Sequence, residues 1–589
     1  MTSPAPMPEL RGNPYLFMVG QAWRFGAGRR VRMVTFYCLC FCANMAIIAQ
    51  PWIFGQTLNV LQSGGADLFH RAWPWFLFYG SMMVIFWAFH GPGRVIERNF
   101  AFYVKKQFFD RHYRAVTELP LSWHRDHHSG EIINRMQKAG LGLYNFTQTQ
   151  FMYLETIVRF CGAIIMLALV APIVALLAII GAVIVMTLIS GFDKRLILLI
   201  RGENTADHFF ASGLFDFISN INTLITLRLA PLTQHELTRR LMLIFVPLRE
   251  SIKLNEIKWF SFMIMVVTLE ATIMLTFIHH QITIHNMVMV GTLVTVFQYF
   301  RQINDVFVRF AIYYQELIRA RVDLHTIAPI TEAAEALHKN HAPPMPTDWQ
   351  NIALRDLHFS YDDGERKTLS DLNVNLPRGA RIALVGESGA GKSSLLAVLR
   401  GIYPADAHVE IDGTVGDIEM LADCATLIPQ DAEIFESTIA QNITMGVGDE
   451  ETRMLRAAEI AEFSSVAAML PIGFDTDIRE KGVNLSGGQK QRLALARGLF
   501  SAADSSILLL DEPTSSVDAA TELKIFQNLF AAYPQTTIIA SLHRLHLLPR
   551  FDYIYVLDQG RVVEEGAFAA LIARGGKLKK LWDKYEQTS

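Results

Sequence analysis

The chain has 589 residues, enough for several domains. Hydrophobic residues make up 51% and charged residues 19%, which excludes an ordinary soluble protein and points to a membrane part. The net charge of −3 gives no support to a nucleic-acid partner.

The start, Met1-Thr2-Ser3-Pro4-Ala5-Pro6, lacks the charged-then-apolar pattern of a cleavable signal peptide, and none is expected. Up to about residue 325 the chain reads as long apolar helices. Six spans are expected at roughly 31–56, 72–93, 150–171, 173–193, 259–279 and 286–308, each near the ~20 residues that cross a bilayer core. Only Ala171-Pro172 separates the third from the fourth, which fits a tight turn. Cys38, Cys40 and Cys42 look like metal ligands, but alternate residues on a helix point about 200° apart. They are read, with Cys161, as reduced membrane cysteines.

Loop charges set the expected topology. Arg24, Arg29 and Arg30 precede the first span, and Arg94 to Lys138 and Lys194 to Lys253 fill two long connections with basic residues. The other connections, Gln62 to Asp67 and His279 to His285, are nearly free of Lys and Arg. Both chain ends are therefore expected in the cytoplasm. The long basic connections keep helical periodicity and few Pro or Gly breakers, so they read as helices running on beyond the bilayer. The run Trp123-His124-Arg125-Asp126-His127-His128 is read as solvated loop rather than a metal site.

A proline-rich stretch, His341-Ala342-Pro343-Pro344-Met345-Pro346-Thr347-Asp348, lies in a linker placed at 331–349. It separates a membrane domain at 1–330 from a second domain at 350–589. Beyond it, Arg381 to Val385, Ala425 to Ile428, Ser506 to Leu510 and Thr537 to Ala540 are short, largely continuous apolar runs. Such runs suit parallel strands covered on both faces. Val556 to Val563 reads as a hairpin.

The chemistry sits on these strands. Gly386-Glu387-Ser388-Gly389-Ala390-Gly391-Lys392-Ser393 follows one of them and opens a helix, the context a phosphate-binding loop requires. Glycines let backbone N–H groups turn inward around phosphate oxygens, and the helix N-terminus adds a favourable dipole. Lys392 is expected on the β- and γ-phosphates and the Ser393 hydroxyl on Mg²⁺, with Ser394 completing the nucleotide contacts. Asp511 ends an apolar strand, where it can hold Mg²⁺ directly or through water. Glu512 follows at once and suits a general base that orients water.

Leu485-Ser486-Gly487-Gly488-Gln489 lies between these two elements. With them it resembles the signature of ATP-binding cassette (ABC) proteins, and the resemblance covers about residues 350–589. It implies that Tyr361 stacks on adenine and that Gln430 senses Mg²⁺ and the attacking water. It also implies that Ser486, Gly487, Gly488 and Gln489 bind the γ-phosphate of ATP held by another subunit. Ser515-Ser516-Val517-Asp518 resembles the loop crossing between two ATP sites, and His543 the switch histidine on γ-phosphate. Ile478-Arg479-Glu480 departs from the family's more usual Val-Gly-Glu, and the 401–430 segment is a few residues short.

Six spans ahead of a cassette resemble exporter-type ABC half-transporters, as does Gly130-Glu131-Ile132-Ile133-Asn134-Arg135. The resemblance implies short coupling helices near 122–136 and 211–224, with Trp123, Phe215 and Phe217 as aromatic candidates for their seats. Charges inside a bilayer are costly and so are functional candidates. Glu270 in the fifth span is expected either to face an aqueous cavity or to make an interhelical hydrogen bond. His90, before Gly91-Pro92-Gly93, is a second cavity candidate. Met82, Met83, Met263, Met265 and Trp87 are read as lining a cavity or as packing in core and lipid. Arg301, Asp305 and Arg309 share one helix face and read as a salt-bridge ladder.

The expected fold is therefore a membrane all-α six-helix domain followed by an α/β P-loop ATPase domain. The expected function is an ATP- and Mg²⁺-dependent exporter of a hydrophobic or amphipathic substrate, a small molecule, lipid or peptide. It is expected to work with a second copy of itself in a lipid bilayer, read as a bacterial inner membrane. A metal-chelate importer of the same fold and an ATP-gated channel or regulatory subunit are the rival readings.

Overall fold

The computed structural model describes residues 12–127, 129–337, 345–361, 368–448, 450–478 and 485–588. The expectations at Met1 to Pro6, His128, His341 to Pro344 and Arg479-Glu480 fall outside these residues. The chain divides into two compact units, Met1–Thr117 with Ser129–Ala333, and Glu118–His128 with Ala334–Ser589.

The first unit is helical. Asn13 caps α1 (Pro14–Phe25) by accepting from the Tyr15 N–H at 2.9 Å. The long helices α2 (Arg30–Ser63) and α3 (Leu68–Glu118) follow; α4 (Leu121–Asp126) belongs to the second unit. The first unit resumes with α5 (Ser129–Gln148), α6 (Gln150–Val170), α7 (Pro172–Ser219) and α8 (Ile221–Thr226). It ends with α9 (Ala230–His285), α10 (Val290–His325) and α11 (Ala328–Leu337). Pro172 starts α7 at a position that needs no N–H, so the chain turns between α6 and α7 through Ala171 alone.

Among the described residues, five helices are long and apolar enough to cross a membrane: α2, α3, α6, α7 and α9. The sixth expected span falls in α10, which is not among them. Its Arg301, Asp305 and Arg309 dilute the apolar run, and neighbouring helices accommodate its polar groups. Tyr299 donates to the Ile48 carbonyl at 2.8 Å, and the Thr295 hydroxyl, 2.9 Å from the Gly291 carbonyl of its own helix, also lies 3.3 Å from the Pro51 carbonyl. Pro51 has no N–H for the Ile47 carbonyl of α2, and these two side chains from α10 approach the carbonyls of Ile48 and Pro51 beside that gap. Gly55 and Gly291 bring the two backbones close, because a Cβ on either would strike the other's carbonyl.

The salt-bridge ladder on α10 does not form. Arg309 pairs instead with Glu155 of α6 at 2.8 Å, Arg159 reaches the same carboxylate at 3.0 Å, and Arg301 lies over the Phe297 ring. Glu155 is buried while Asp305 is exposed, so Arg309 gains more from the less screened Glu155 carboxylate than from Asp305 on its own helix. α7 and α9 pack through Val174, Ala178, Ala182, Val185, Phe262 and Val266. A buried Asp193–Lys258 pair at 3.4 Å joins them near the end of the apolar segment.

The second unit is α/β. Strands β1 (Asn351–Phe359), β2 (Leu369–Pro377), β4 (Asp406–Ile411) and β5 (Thr414–Gly416) form an antiparallel sheet in the order β2-β1-β4-β5. The second sheet contains β3 (Arg381–Val385), β6 (Ala425–Ile428), β7 (Ile507–Asp511), β8 (Thr537–Ser541), β9 (Tyr553–Asp558) and β10 (Arg561–Gly566). Its order is β10-β9-β3-β8-β7-β6, parallel except for the hairpin strand β10. Strands β3, β7 and β8 are buried nearly throughout, as continuous Ile/Leu/Ala/Val runs require.

Helix α12 (Lys392–Leu399) follows β3. Then come α13 (Ile439–Thr444), α14 (Glu451–Ile460) and α15 (Ser464–Ala468). The unit is completed by α16 (Gly487–Ser501), α17 (Ala519–Ala532), α18 (Phe568–Arg574) and α19 (Lys577–Thr588). In the shortened 401–430 segment, the helical element is a six-residue 3-10 turn, Ile418–Asp423.

Candidate nucleotide site

The phosphate loop leaves β3 at Val385 and enters α12 at Lys392. Gly389 and Gly391 have φ of +80° and +102°, a region that favours glycine. A Cβ on Gly386 would press on the Leu557 carbonyl of β9, so the loop lies close against the sheet. Glu387, Ser388 and Gly389 are exposed while Ala390 is packed in the core, which holds the loop's rim open and its base fixed. The Lys392 ammonium is 5% exposed and donates to the carbonyls of Gly386 at 2.9 Å and Glu387 at 3.2 Å. Burial lowers its pKa, and Glu512 and Asp511 oppose that shift. The loop amides and this cation form a cradle for anionic oxygens.

The ends of β7 and β8 supply the acidic side. Asp511 Oδ1 accepts from the Ser393 hydroxyl at 3.0 Å and from the Ser541 hydroxyl at 2.6 Å. Ser541 Oγ also accepts the Glu512 N–H at 3.1 Å. Glu512 itself has φ +47°, a left-handed conformation that costs a non-glycine residue energy and clusters at functional sites. Its carboxylate lies between two partners, Gln430 Nε2 at 3.1 Å and His543 Nε2 at 2.7 Å. Lys392, Ser393, Asp511, Glu512, Gln430 and His543 thus converge at the C-terminal ends of the parallel strands. Ser541 carries no role in the motifs read from the sequence. The signal for it was its place at the end of the β8 run, two residues before His543.

Tyr361 meets Phe359 and Tyr403 edge-on, at ring-centroid distances of 4.8 and 5.2 Å, and its hydroxyl bonds Ser394 at 2.9 Å. Its ring remains 39% exposed, so one face is available to a planar group. Arg125 of α4 reaches the Tyr361 carbonyl at 3.4 Å within the same unit.

The signature occupies a different place. Ser486 caps α16 in a reciprocal box: its hydroxyl accepts the Gln489 N–H at 3.4 Å, and Gln489 Oε1 accepts the Ser486 N–H at 2.8 Å. Gly487 and Gly488 form the first turn, and a Cβ on Gly488 would strike the Ser516 carbonyl at 2.7 Å. Asp518 caps α17 by accepting the Thr521 N–H at 3.0 Å, a bond that lowers its pKa. The side-chain bonds described for Ser486, Gln489 and Asp518 run to their own helix starts rather than to the phosphate loop.

In the first unit, Glu270 is half-buried on the face of α9 that carries Val266, Ile273 and Phe277. Among the described residues it has no hydrogen-bond or ion-pair partner. His90 stacks on Phe86 at 4.7 Å and meets the edges of Trp87 and Phe151, an aromatic cluster. Met82 is buried, Met83, Met263 and Trp87 are exposed, and Met265 is half-buried. Trp123 stacks on His127 at 4.1 Å, while Phe215 is 67% exposed.

A membrane-type helical region joined to a P-loop α/β unit with a separate signature helix defines an ATP-binding cassette protein of the fused type. Family models agree with that class: one described as ABC transporter matches residues 369–515, and one described as ABC transporter transmembrane region matches 33–307. The chain belongs to the ABC transporter family, with a transmembrane region fused to an ATPase domain.

Similar proteins include the transport/processing ATP-binding protein ComA of Streptococcus pneumoniae, 37% identical over 38% of this chain and 32% of ComA. The ATP-dependent lipid A-core flippase of Vibrio vulnificus is 36% identical over 39% of this chain and 40% of its own length. ATP-binding cassette sub-family B member 6 of Rattus norvegicus is 34% identical over 47% of this chain and 34% of its own length. The matched stretches therefore span well under half of these relatives. A solved bacterial Atm1-family ABC exporter with ATP bound has the same fold, with a TM-score of 0.77 and 23% identity. The likeness covers 95% of this chain and 98% of that one.

Proposed function

We propose that this protein is an ATP-driven exporter of a hydrophobic or amphipathic substrate, working as a dimer of two copies in a bacterial inner membrane. The observation that carries the reading is the Glu512 carboxylate held between Gln430 and His543, next to the Ser393–Asp511 pair. That is the arrangement needed to position a water beside a bound γ-phosphate. The functional division follows residues 1–330, 331–349 and 350–589, with both chain ends in the cytoplasm.

Each chain residue has a separable task. The loop from Gly386 to Ser394 wraps the phosphates, Lys392 neutralises them, and Tyr361 stacks on adenine. Ser393 and Asp511, with Gln430, present hard oxygen donors that fit Mg²⁺, which would supply charge neutralisation at the phosphate oxygens. Glu512 orients and deprotonates the attacking water, and His543 holds the γ-phosphate side. Ser486, Gly487, Gly488 and Gln489 serve ATP bound to the second copy, with Asp518 at the crossing loop. This assignment agrees with their bonds lying away from the phosphate loop. The helical unit moves between inward- and outward-open forms because ATP binds the closed dimer more tightly. Glu270 and His90 are the cavity candidates of that unit.

Inside-out and right-side-out vesicles carrying the protein, supplied with ATP and a panel of fluorescent amphiphiles, test the direction. ATP-dependent accumulation in inside-out vesicles supports export. Uptake confined to right-side-out vesicles loaded with ATP would establish import instead.

A further inference from the structure

The loop Ser515-Ser516-Val517-Asp518 is fastened from both sides by residues that the proposed catalytic scheme does not use. From α16, Gln491 Oε1 accepts the Ser516 N–H at 2.7 Å, and Gln491 Nε2 donates to the Ser515 hydroxyl at 2.7 Å. Gln491 is 8% exposed while Ser515 and Ser516 are exposed, so the bonds run from a buried amide to the surface loop, and leaving that amide unmatched is costly. One turn earlier on the same helix, Gly488 abuts the Ser516 carbonyl. From the other side, Arg544 donates to the carbonyls of Val517 and, at 3.5 Å, Ser515. Arg544 is the residue after His543, and its guanidinium is held 3.5 Å from the buried Glu522, which also accepts the Thr514 hydroxyl at 2.6 Å. The loop is tied to the catalytic strand as well, since the Ser515 N–H donates to the Glu512 carbonyl at 3.3 Å.

We propose that Gln491 and Arg544 are positioning residues that couple the two ATP sites of the dimer. The inference rests on the dimer reading above. Ser486 at the start of α16 would serve the ATP of the second copy, while Glu512 and His543 act on this chain's own ATP. Gln491 fixes the signature helix to the crossing loop, and Arg544 fixes that loop to the His543 segment. A shift of α16 on meeting the second copy's ATP is thereby passed to Glu512 and His543. Both residues act through the loop and touch no substrate atom. Gln491 sits two positions beyond the signature, so its chemistry is separate from γ-phosphate binding by Ser486 and Gln489.

The test uses the full-length protein in lipid nanodiscs. Gln491→Ala is expected to lower kcat about tenfold, the scale of two lost part-buried hydrogen bonds. The Hill coefficient for ATP is expected to fall toward one, with single-site ATP affinity unchanged. Gln491→Glu keeps an acceptor for the Ser516 N–H and lets the Ser515 hydroxyl donate, so it is expected to restore most of the cooperativity. Arg544→Lys, which keeps the charge beside Glu522, is expected to reproduce the loss of cooperativity in weaker form.

ATP-driven closure is followed in parallel by energy transfer between labels on the two ATPase domains in Glu512→Gln and in Glu512→Gln/Gln491→Ala. Absence of closure in both defeats the dimer reading itself. Closure in both, together with wild-type kcat and Hill coefficient in Gln491→Ala, overturns the coupling role and leaves the dimer standing. A fall in melting temperature and kcat with cooperativity intact assigns Gln491 to folding alone, which also overturns the proposal.

Discussion

The two units of this protein spend polar groups differently. In the ATPase unit, the partly exposed Ser393, Asp511 and Glu512 side chains converge with the buried Lys392 at strand and loop ends. In the helical unit, the ionisable groups Glu97, Glu155, Asp193 and Lys258 are buried and paired: Glu97 with Arg94, Glu155 with Arg159 and Arg309, Asp193 with Lys258. The first set is the one proposed above for chemistry. In the second set, Glu155–Arg309 joins α6 to α10 and Asp193–Lys258 joins α7 to α9, while Glu97–Arg94 and Glu155–Arg159 lie within single helices. Glu270 departs from the helical unit's pattern, being half-buried without a polar partner among the described residues.

That contrast can be broken or sharpened by substitution, beginning with the largest effect. Chelation of Mg²⁺ is expected to stop hydrolysis. Glu512→Gln is expected to lower turnover by about 10²–10⁴-fold, the range of a lost general base, while ATP binding persists. Phosphate release with parallel nucleotide-binding measurements checks both. Turnover near wild type in Glu512→Gln would remove the general-base role.

Glu155→Ala leaves Arg159 and Arg309 facing each other without their carboxylate. Destabilisation of about 2–4 kcal/mol is expected, below the fully buried case because Arg309 is about a third exposed. The readout is a lower melting temperature of the purified protein with unchanged ATP affinity. An unchanged melting temperature would mean that this ion triad does not hold α6 and α10 together.

Tyr361→Ala is expected to raise the KM for ATP by about tenfold, the scale of one base–aromatic stack, with kcat nearly unchanged. Tyr361→Phe, which loses only the bond to Ser394, separates the ring from the hydroxyl and is expected to stay within about twofold of wild type. An equal effect in the two variants would shift the role to the hydroxyl.

The smallest basal effect belongs to Glu270→Ala. Its basal ATPase is expected within about twofold of wild type, because the residue lies in the other unit from the catalytic groups, but stimulation by transported amphiphiles is expected to change. Identical stimulation and transport in the variant and wild type would count Glu270 as a packing residue.

Much of the candidate ATP site is legible in the sequence, because its motifs are written in contiguous residues. A glycine loop between an apolar run and a helix needs Gly389 and Gly391 for local backbone reasons, and Lys392 follows directly. Glu512 could be named from its neighbour Asp511 and the strand before it. Ser541 and Gln491 could not be assigned so easily. Ser541 serves Asp511 across 30 residues and Gln491 serves Ser516 across 25, and no periodicity announces such a bond. The α10 ladder shows the same limit from the other side. Four-residue spacing correctly placed Arg301, Asp305 and Arg309 on one face, yet Arg309 took Glu155, 154 positions away, because a buried carboxylate was the stronger partner.

From sequence alone came the long apolar helices, the parallel-strand unit, the phosphate loop and the signature, since each depends on residue order within one turn, strand or loop. Tertiary structure decided which charges pair inside the helical unit, how Ser541 joins Asp511 to Glu512, and that Gln491 and Arg544 hold the loop between them. Those outcomes depend on which distant groups are left out of water together. That is a property of packing rather than of local order.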